Sequence, residues 1–423
     1  RYARRRDGRA KQVRCVTGRR AGRRAGARCA PSGGRRRACD NRMSMDGSNV
    51  PVWDDGSALG LPRLEGEVRA EVCVVGLGGS GLAAIAELLR RGVDVVGVDA
   101  GTVAGGAAGR NGGFLLAGIA AAHHDAVAAI GHDRAVRLYA ATMEELDRFE
   151  AETPAAVRRP GSLRIAEDEE ELRDCEAQFA QLRADGFPVE HYSGHEGEGL
   201  LFPHDGVFNP LQRCRLMAGA ALSAGARLFE HSRVTGVSSS RVALADGSIT
   251  CRAVIVAVDG GLDRLLPELS DRVRTARLQM LATAPTHEVS LPRPVYARYG
   301  YEYYQQLPTG EVALGGFRDR AGAGEWTHDN DPATPVQSML EQYVRATIGV
   351  SAAITHRWAA SVGYSTGVLP LFTRVRDGVV AIGGYNGTGN LVGALLGRGA
   401  AQVAVTGRSE IAALVTGSAT LTV

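Results

Sequence analysis

No stretch of the chain constrains its fold more than residues 71–99, EVCVVGLGGSGLAAIAELLRRGVDVVGVD. Val72, Val74 and Val75, with Cys73 between them, form an unbroken apolar run of the kind buried on both faces of a parallel sheet. The run enters Gly76-Leu77-Gly78-Gly79-Ser80-Gly81, after which the apolar spacing becomes helical. In such a turn the first glycine permits the tight reversal. The second lets the backbone approach a pyrophosphate, and the third lets helix and strand pack closely. The helix start, at Gly79 and Ser80, offers free N–H groups and the positive end of its dipole to phosphate. A second apolar strand, residues 93–98, ends at Asp99 and Ala100, with Asp99 lying 18 residues beyond Gly81. A carboxylate placed there accepts the hydroxyls of an adenosine ribose and repels a 2′-phosphate. Strand, glycines, helix and acid in this order specify a dinucleotide site in an α/β fold.

The formal charge of +3 averages two unlike parts. Residues 1–42 hold 16 Lys and Arg against two Asp, whereas residues 43–423 hold 33 basic and 44 acidic side chains. The first part mixes Arg with Gly and Ala and has no apolar periodicity, so residues 1–45 are expected to be a disordered basic tail. The tail lacks the apolar stretch of a secretory signal. The expectation is that it is translated from upstream of a start at Met43 or Met45, and that it is not a nucleic-acid arm. With an acidic body, no nucleic-acid partner is expected. No apolar run approaches the roughly 20 residues of a membrane helix, so a soluble protein without a membrane span is expected. Cys15, Cys29 and Cys39 fall in the tail, and Cys73, Cys175, Cys214 and Cys251 are scattered without CxxC spacing. That pattern points to no disulfide framework, no zinc site and a reducing cytoplasm. His123 and His124 lack ligand spacing and read as surface helix residues, so no metal is expected.

Beyond Asp99, residues 101–113 read GTVAGGAAGRNGG, a loop that can lie flat against a planar ligand with its N–H groups facing it. Residues 122–152 and 168–185 read as helices, the second with acids clustered in its first turn. From residue 211 a helix, a turn and a strand follow, then a hairpin around Asp246-Gly247 leading into a buried strand. Residues 295–317 read as two strands around Pro308-Thr309-Gly310. Alternation then places Tyr296, Arg298, Glu302, Tyr304 and Gln306 on one face. Near the C-terminus, residues 378–404 repeat the pattern of strand, glycine-rich turn and helix.

Four of these stretches, in this order, resemble the D-amino-acid oxidase family of FAD enzymes, which includes glycine and sarcosine oxidases and D-amino-acid dehydrogenases. They are the fingerprint at 72–99, the loop at 104–114, the strand with Val234, and the segment 383–391. The GRNGG of residues 109–113 is similar to the branch around gamma-glutamylputrescine oxidoreductase. The resemblance covers roughly residues 50–415 and implies a two-part α/β architecture. One part is a discontinuous Rossmann-like FAD-binding domain at 66–118, 206–278 and 357–415. The other is an α+β substrate domain with a mixed antiparallel sheet, at 119–205 and 279–356. Carried over residue by residue, the resemblance puts Gly76, Gly78, Gly79, Ser80 and Gly81 at the pyrophosphate, Asp99 and Ala100 at the adenosine ribose, and Val234 at the adenine. It puts Arg110, Asn111, Gly112 and Gly113 along the ribityl chain and flavin. Gly384, Asn386, Gly387, Thr388, Gly389, Asn390 and Leu391 close over the pyrimidine end, where the following helix directs its dipole at the flavin.

The implied activity is oxidation of the C–N bond of an amine or amino acid, by hydride transfer to flavin N5 and hydrolysis of the imine. A substrate carboxylate calls for an arginine. Arg110, Arg298, Arg318 and Arg357 are the candidates, with Arg110 first because it adjoins a flavin motif. Tyr303 or Tyr304 would form an aromatic wall, so the expected catalytic set is Arg110, Tyr304 and Arg298. Two departures from the family matter. Leu391 stands about where sarcosine oxidases hold the substrate with lysine, and Lys11 is the only lysine in the chain, so the electron acceptor is oxygen or another acceptor. No cysteine follows Cys251, so FAD is expected to be non-covalent. Two alternatives are an NAD-dependent dehydrogenase, which leaves the GGYNGTGN turn without a purpose, and a flavoprotein subunit of a larger dehydrogenase complex.

Overall fold

The computed structural model describes residues 49–421. The basic tail, its three cysteines and the start at Met43 or Met45 lie outside the described residues.

The valine-rich strands build a six-stranded sheet in the spatial order Arg227–Phe229, Val95–Val98, Val72–Val75, Ala253–Val256, Val379–Gly383 and Leu371–Arg376. All neighbours are parallel except the last pair. Side chains alternate across the strands, so each strand feeds two cores. Val72, Val74, Ile255, Val380 and Ile382 face helices Gly79–Arg90 and Gly389–Thr406. Cys73, Val75, Val254, Val256 and Val379 face a four-stranded sheet built from Gly66–Arg69, Gly247–Thr250, Arg241–Leu244 and Val234–Val237. The two helices meet backbone to backbone: a Cβ on Gly397 would lie 2.1 Å from the Ser80 carbonyl oxygen. The strands that lead into these helices, Val72–Val75 and Val379–Gly383, both run parallel to Ala253–Val256 between them, so both helices start at the same end of the sheet.

A second, mixed sheet of eight strands runs in the order Ile354–Ser365, Val273–Thr283, Val312–Gly316, Glu302–Gln306, Val295–Ala297, Ser162–Ile165, Gly197–Phe202, Glu190–Gly194. Its one parallel pair is Val295–Ala297 with Ser162–Ile165. One face contributes Met280, Ala282, Ala313 and Trp358 to the core shared with the first sheet's helices. The other packs Leu281, Val312, Leu314 and Tyr304 against Val336 and Leu340 of helix Thr334–Tyr343. Val273–Thr283 and Ile354–Ser365 are continuous partners, so the boundaries drawn at 278 and 357 fall inside strands of this one sheet.

Three local expectations need correction. The helix expected over 122–152 breaks at Gly131, whose φ of +87° separates His123–Ile130 from His132–Glu152. His123 is not a surface residue: it is buried, and its Nε2 lies 2.7 Å from Asp185 Oδ2, the residue capping helix Glu169–Ala184. The strand expected from 295 to 306 doubles back at Arg298–Gly300, where Arg298, Tyr299 and Gly300 all take positive φ. The return pairs Tyr296 with Tyr303 and Val295 with Tyr304. Tyr296 and Tyr304 therefore point to opposite faces.

Candidate functional site

The glycine turn after Val72–Val75 is fixed by contacts that admit no side chain. Gly76 has φ +103°, and a Cβ on it would lie 2.5 Å from the Ala257 carbonyl oxygen. A Cβ on Gly81 would lie 1.8 Å from the Gly76 carbonyl oxygen, so the helix seats directly on the turn. Gly78 caps helix Gly79–Arg90 without any side-chain hydrogen bond, and a Cβ on Gly79 would meet nothing within 4 Å. The helix start is therefore open to a ligand while its base is closed. Ser80 is buried beside it, and Ala100 is exposed.

Asp99 ends the neighbouring strand as its position implies. Its Oδ2 accepts the Leu77 N–H at 2.8 Å and its Oδ1 the Gly101 N–H at 2.8 Å. Burial lifts its pKa, partly offset by those two donors. Each carboxylate oxygen keeps a second lone pair, enough to accept further hydroxyls. The Ser232 N–H donates to the Asp99 carbonyl, which brings Val234, two residues on, to the same corner.

The loop that follows folds into a turn and one helical turn, Ala107–Arg110. Two indoles hold its exit: Trp358 Nε1–H donates to the Arg110 carbonyl at 2.8 Å, and Trp53 Nε1–H to the Asn111 carbonyl at 2.9 Å. Gln305 Nε2 donates to the Gly112 carbonyl, and the Gly113 N–H donates to Asn111 Oδ1 at 2.8 Å. The C-terminal turn is stitched to this loop, for Asn390 Nδ2 donates to the Phe114 carbonyl at 2.8 Å. Gly384 and Gly387 have positive φ, Thr388 caps helix Gly389–Thr406 without a side-chain bond, and Leu391 is buried. Asn386 Oδ1 accepts the Ser365 N–H at 2.8 Å.

Asp259 is a structural partner that the sequence reading missed. Its Oδ2 accepts the Gly363 N–H at 2.9 Å and its Oδ1 the Gly384 N–H at 2.8 Å, tying the long outer strand of the eight-stranded sheet to the C-terminal turn. Burial raises its pKa to about 6 against those donors. The signal was present in VDGG, an acid and two glycines just past a buried parallel strand, the end where such sheets bind ligands.

The expected catalytic set is not brought together. Tyr304 faces away from the glycine loops and packs near Tyr343, ring centres 6.2 Å apart. Its neighbour Tyr303 faces them: a Cβ on Gly112 would lie 3.0 Å from its ring. Arg298 is consumed by Glu302 and by Asp319 at 2.9 Å, and its pKa is raised accordingly. Arg357 pairs with Glu341. Arg110 spends Nε on the Ala359 carbonyl at 2.8 Å and Nη2 on the Asn49 carbonyl at 2.8 Å, so it braces backbone. Among the described residues one candidate metal cluster exists, His124, Asp125 and Asp174, but Asp174 already pairs with Arg164 at 2.7 Å.

Comparison with known proteins decides what this geometry belongs to. Residues 71–403 match the DAO family, described as FAD dependent oxidoreductase. The chain belongs to that family. It is 26% identical over 380 residues to the probable oxidoreductase OrdL of Rhizobium meliloti (strain 1021), spanning 83% of this chain and 86% of that one. It is 27% identical over 366 residues to gamma-glutamylputrescine oxidoreductase of Escherichia coli (strain K12), spanning 79% and 83%. The fold matches that of L-proline dehydrogenase from P. horikoshii with a TM-score of 0.68 at 18% identity, covering 83% of this chain and 96% of the other. The residues present fit the family's dinucleotide. The helix start at Gly79 is uncapped and open, and among the described residues the buried Tyr385 hydroxyl finds no hydrogen-bond partner. Among the described residues no helix is long and apolar enough to cross a membrane.

Proposed function

We propose that the protein oxidises the carbon–nitrogen bond of an amine or amino acid, with FAD bound non-covalently. The observation that carries this reading is the meeting of three segments. The loop at 104–114 and the turn at 383–391 are joined through Asn390, and Tyr303 of the eight-stranded sheet stands over Gly112. The name of the E. coli relative, gamma-glutamylputrescine oxidoreductase, supports an amine donor. Gly76, Gly78, Gly79, Ser80 and Gly81 would hold the pyrophosphate, Asp99 and Ala100 the adenosine ribose, and Val234 the adenine. Asn111 to Gly113 and Gly384 to Leu391 would border the flavin. Residues 66–118, 206–278 and 357–415 would supply most of this FAD-binding part.

Bound FAD supplies a two-electron acceptor for hydride from the carbon bearing nitrogen, after which water hydrolyses the imine. The chain's own part is to place that carbon and keep its amine unprotonated. Tyr303 is suited to walling the substrate, because burial holds its phenol neutral, well above the ordinary tyrosine range. The helix Gly389–Thr406 would point its positive end at the flavin. With no lysine after Lys11, oxygen or another acceptor would take the electrons without a lysine's help. The cytoplasm is the proposed compartment.

The test is anaerobic bleaching of the flavin band by a panel of amines and amino acids. Bleaching by one class, with the matching imine-derived carbonyl product recovered, supports the reading. A flavoprotein bleached by no C–N substrate, yet reduced by NADH, overturns it.

A further inference from the structure

A strap of chain, residues 317–333, joins strand Val312–Gly316 to helix Thr334–Tyr343 without strand or α-helix of its own. Phe317 opens it at φ +59°. Glu325 is the one charged side chain of the strap that is buried. Its Oε1 and Oε2 take two arms of the Arg277 guanidinium at 2.9 Å and 3.0 Å, and Oε2 also accepts from Gln279 Nε2 at 2.8 Å. Arg277 is buried as well. Its Nη1 donates to the Asp331 carbonyl at 2.8 Å and to Asp329 at 3.2 Å, so both partners come from the same strap.

Trp326, next to Glu325, lies on the other side of the sheet. Side chains of Val273–Thr283 alternate, so Arg277 and Gln279 share the face of Leu281, against helix Thr334–Tyr343. Arg274 shares the opposite face with Met280. Trp326 packs on that second face. Arg274 Cζ lies 4.2 Å from its ring centre and Arg318 Cζ 4.9 Å. Tyr364, the cross-strand partner of Arg274, meets it edge-on with ring centres 5.6 Å apart. The Tyr364 hydroxyl in turn lies 3.5 Å from where a Cβ on Gly387 would sit, in the turn at 383–391. Tyr303 stands on this face too, since its partner Gly315 is also paired with Met280. Trp326 is partly exposed, whereas Trp53 and Trp358, the other two tryptophans, are buried.

We propose that Trp326 is the outer wall of the substrate space and limits the bulk of the amine that can be oxidised, and that Arg277 and Glu325 position it from the opposite face of the sheet. A buried ion pair contributes little net stability, because both ions give up their water, and its value here is the geometry that it fixes. The inference rests on the amine-oxidising reading above and adds the residues that set substrate size.

The experiment uses holoenzyme of wild type, Glu325→Gln, Trp326→Ala and the double variant, with FAD content per chain recorded for each. Acrylamide quenching of tryptophan fluorescence reports Trp326, since the other two rings are out of reach. The quenching constant is expected to rise about threefold in Glu325→Gln, where Arg277 loses its buried counter-charge and the strap loosens. The second readout is kcat/KM for the substrate that bleaches the flavin and for derivatives carrying a benzyl group on nitrogen or on the carbon chain. Trp326→Ala should raise the benzyl-to-parent ratio at least about tenfold for one of the two derivatives. Glu325→Gln should move the ratio the same way, and the double variant should match Trp326→Ala alone, because Glu325 acts through the tryptophan. If Glu325→Gln fails to hold flavin, Glu325→Asp, which keeps the charge and shortens its reach, takes its place in the same comparison. A ratio unmoved in flavin-loaded Trp326→Ala overturns the wall. Unchanged quenching in the Glu325 variant, or gains that multiply in the double variant, overturn the positioning role. Each of these results leaves the amine-oxidising function standing. A flavoprotein bleached by no C–N substrate overturns that function, and the inference with it.

Discussion

Replacing Asp259 by asparagine keeps the shape of the side chain and removes its charge. The wild-type carboxyl accepts two N–H groups, from Gly363 at 2.9 Å and Gly384 at 2.8 Å, yet burial raises its pKa from 3.8 to about 6. The folded state therefore holds this proton more tightly than the unfolded chain does. Stability from such a group is fully present below pH 3.8 and is lost as pH rises through about 6. Two pKa units correspond to at most about 3 kcal/mol. The amide offers a single acceptor oxygen, so one of the two glycine N–H groups faces an NH2, at a pH-independent cost of about 1–3 kcal/mol. In urea unfolding, wild type should exceed Asp259→Asn by about 1–3 kcal/mol near pH 4. The gap should close or reverse by pH 8, when the wild-type carboxylate is charged and buried. The difference between the two proteins at each pH is the quantity to read, since all other titrating groups cancel. A gap that is constant from pH 4 to pH 8, or that widens, would refute the reasoning that burial dominates this carboxyl.

Other substitutions follow from distances in the same region. Gly81→Ala forces a Cβ to within 1.8 Å of the Gly76 carbonyl oxygen, where only backbone could give way. It should lower stability by about 3 kcal/mol and strip the flavin, whereas Gly79→Ala, with open space at its Cβ, should leave the unfolding midpoint in place. Asn390→Ala removes the 2.8 Å bond to the Phe114 carbonyl, about 1 kcal/mol, and should weaken FAD about fivefold by fluorescence titration of apoprotein. Arg398→Met leaves Glu145, itself buried, without the guanidinium 3.0 Å away. The loss should be about 3–5 kcal/mol in urea unfolding, and a second change, Glu145→Leu, should restore much of it.

What could be read from the sequence was what is local. Strand, glycine turn, helix and Asp99 span 29 residues of continuous chain, and each step is dictated by its own spacing. The segment 378–404 was legible for the same reason. The phase of the strand at 295–306 was not. Alternation carried straight through would put Tyr296 and Tyr304 together, but left-handed backbone at Arg298, Tyr299 and Gly300 turns the chain back and pairs Tyr296 with Tyr303 instead. That reversal exchanged the two tyrosines between core and site. The arginines were illegible for a different reason. Whether a guanidinium is free depends on partners that only the fold supplies, such as Glu341, 16 residues before Arg357, Asp319, 21 residues beyond Arg298, and the Ala359 carbonyl, 249 residues beyond Arg110. No local pattern shows that Arg318 meets three rings and, among the described residues, no acid. His123 is a similar case, since its burial depends on Asp185, 62 residues on.

The central claim is that this fold is built around FAD, and the absorption spectrum of the purified protein tests it most directly. The account predicts the two bands of oxidised flavin, about one FAD per chain, all released by denaturation with none left on the polypeptide. A colourless protein that takes up no FAD on reconstitution would contradict it.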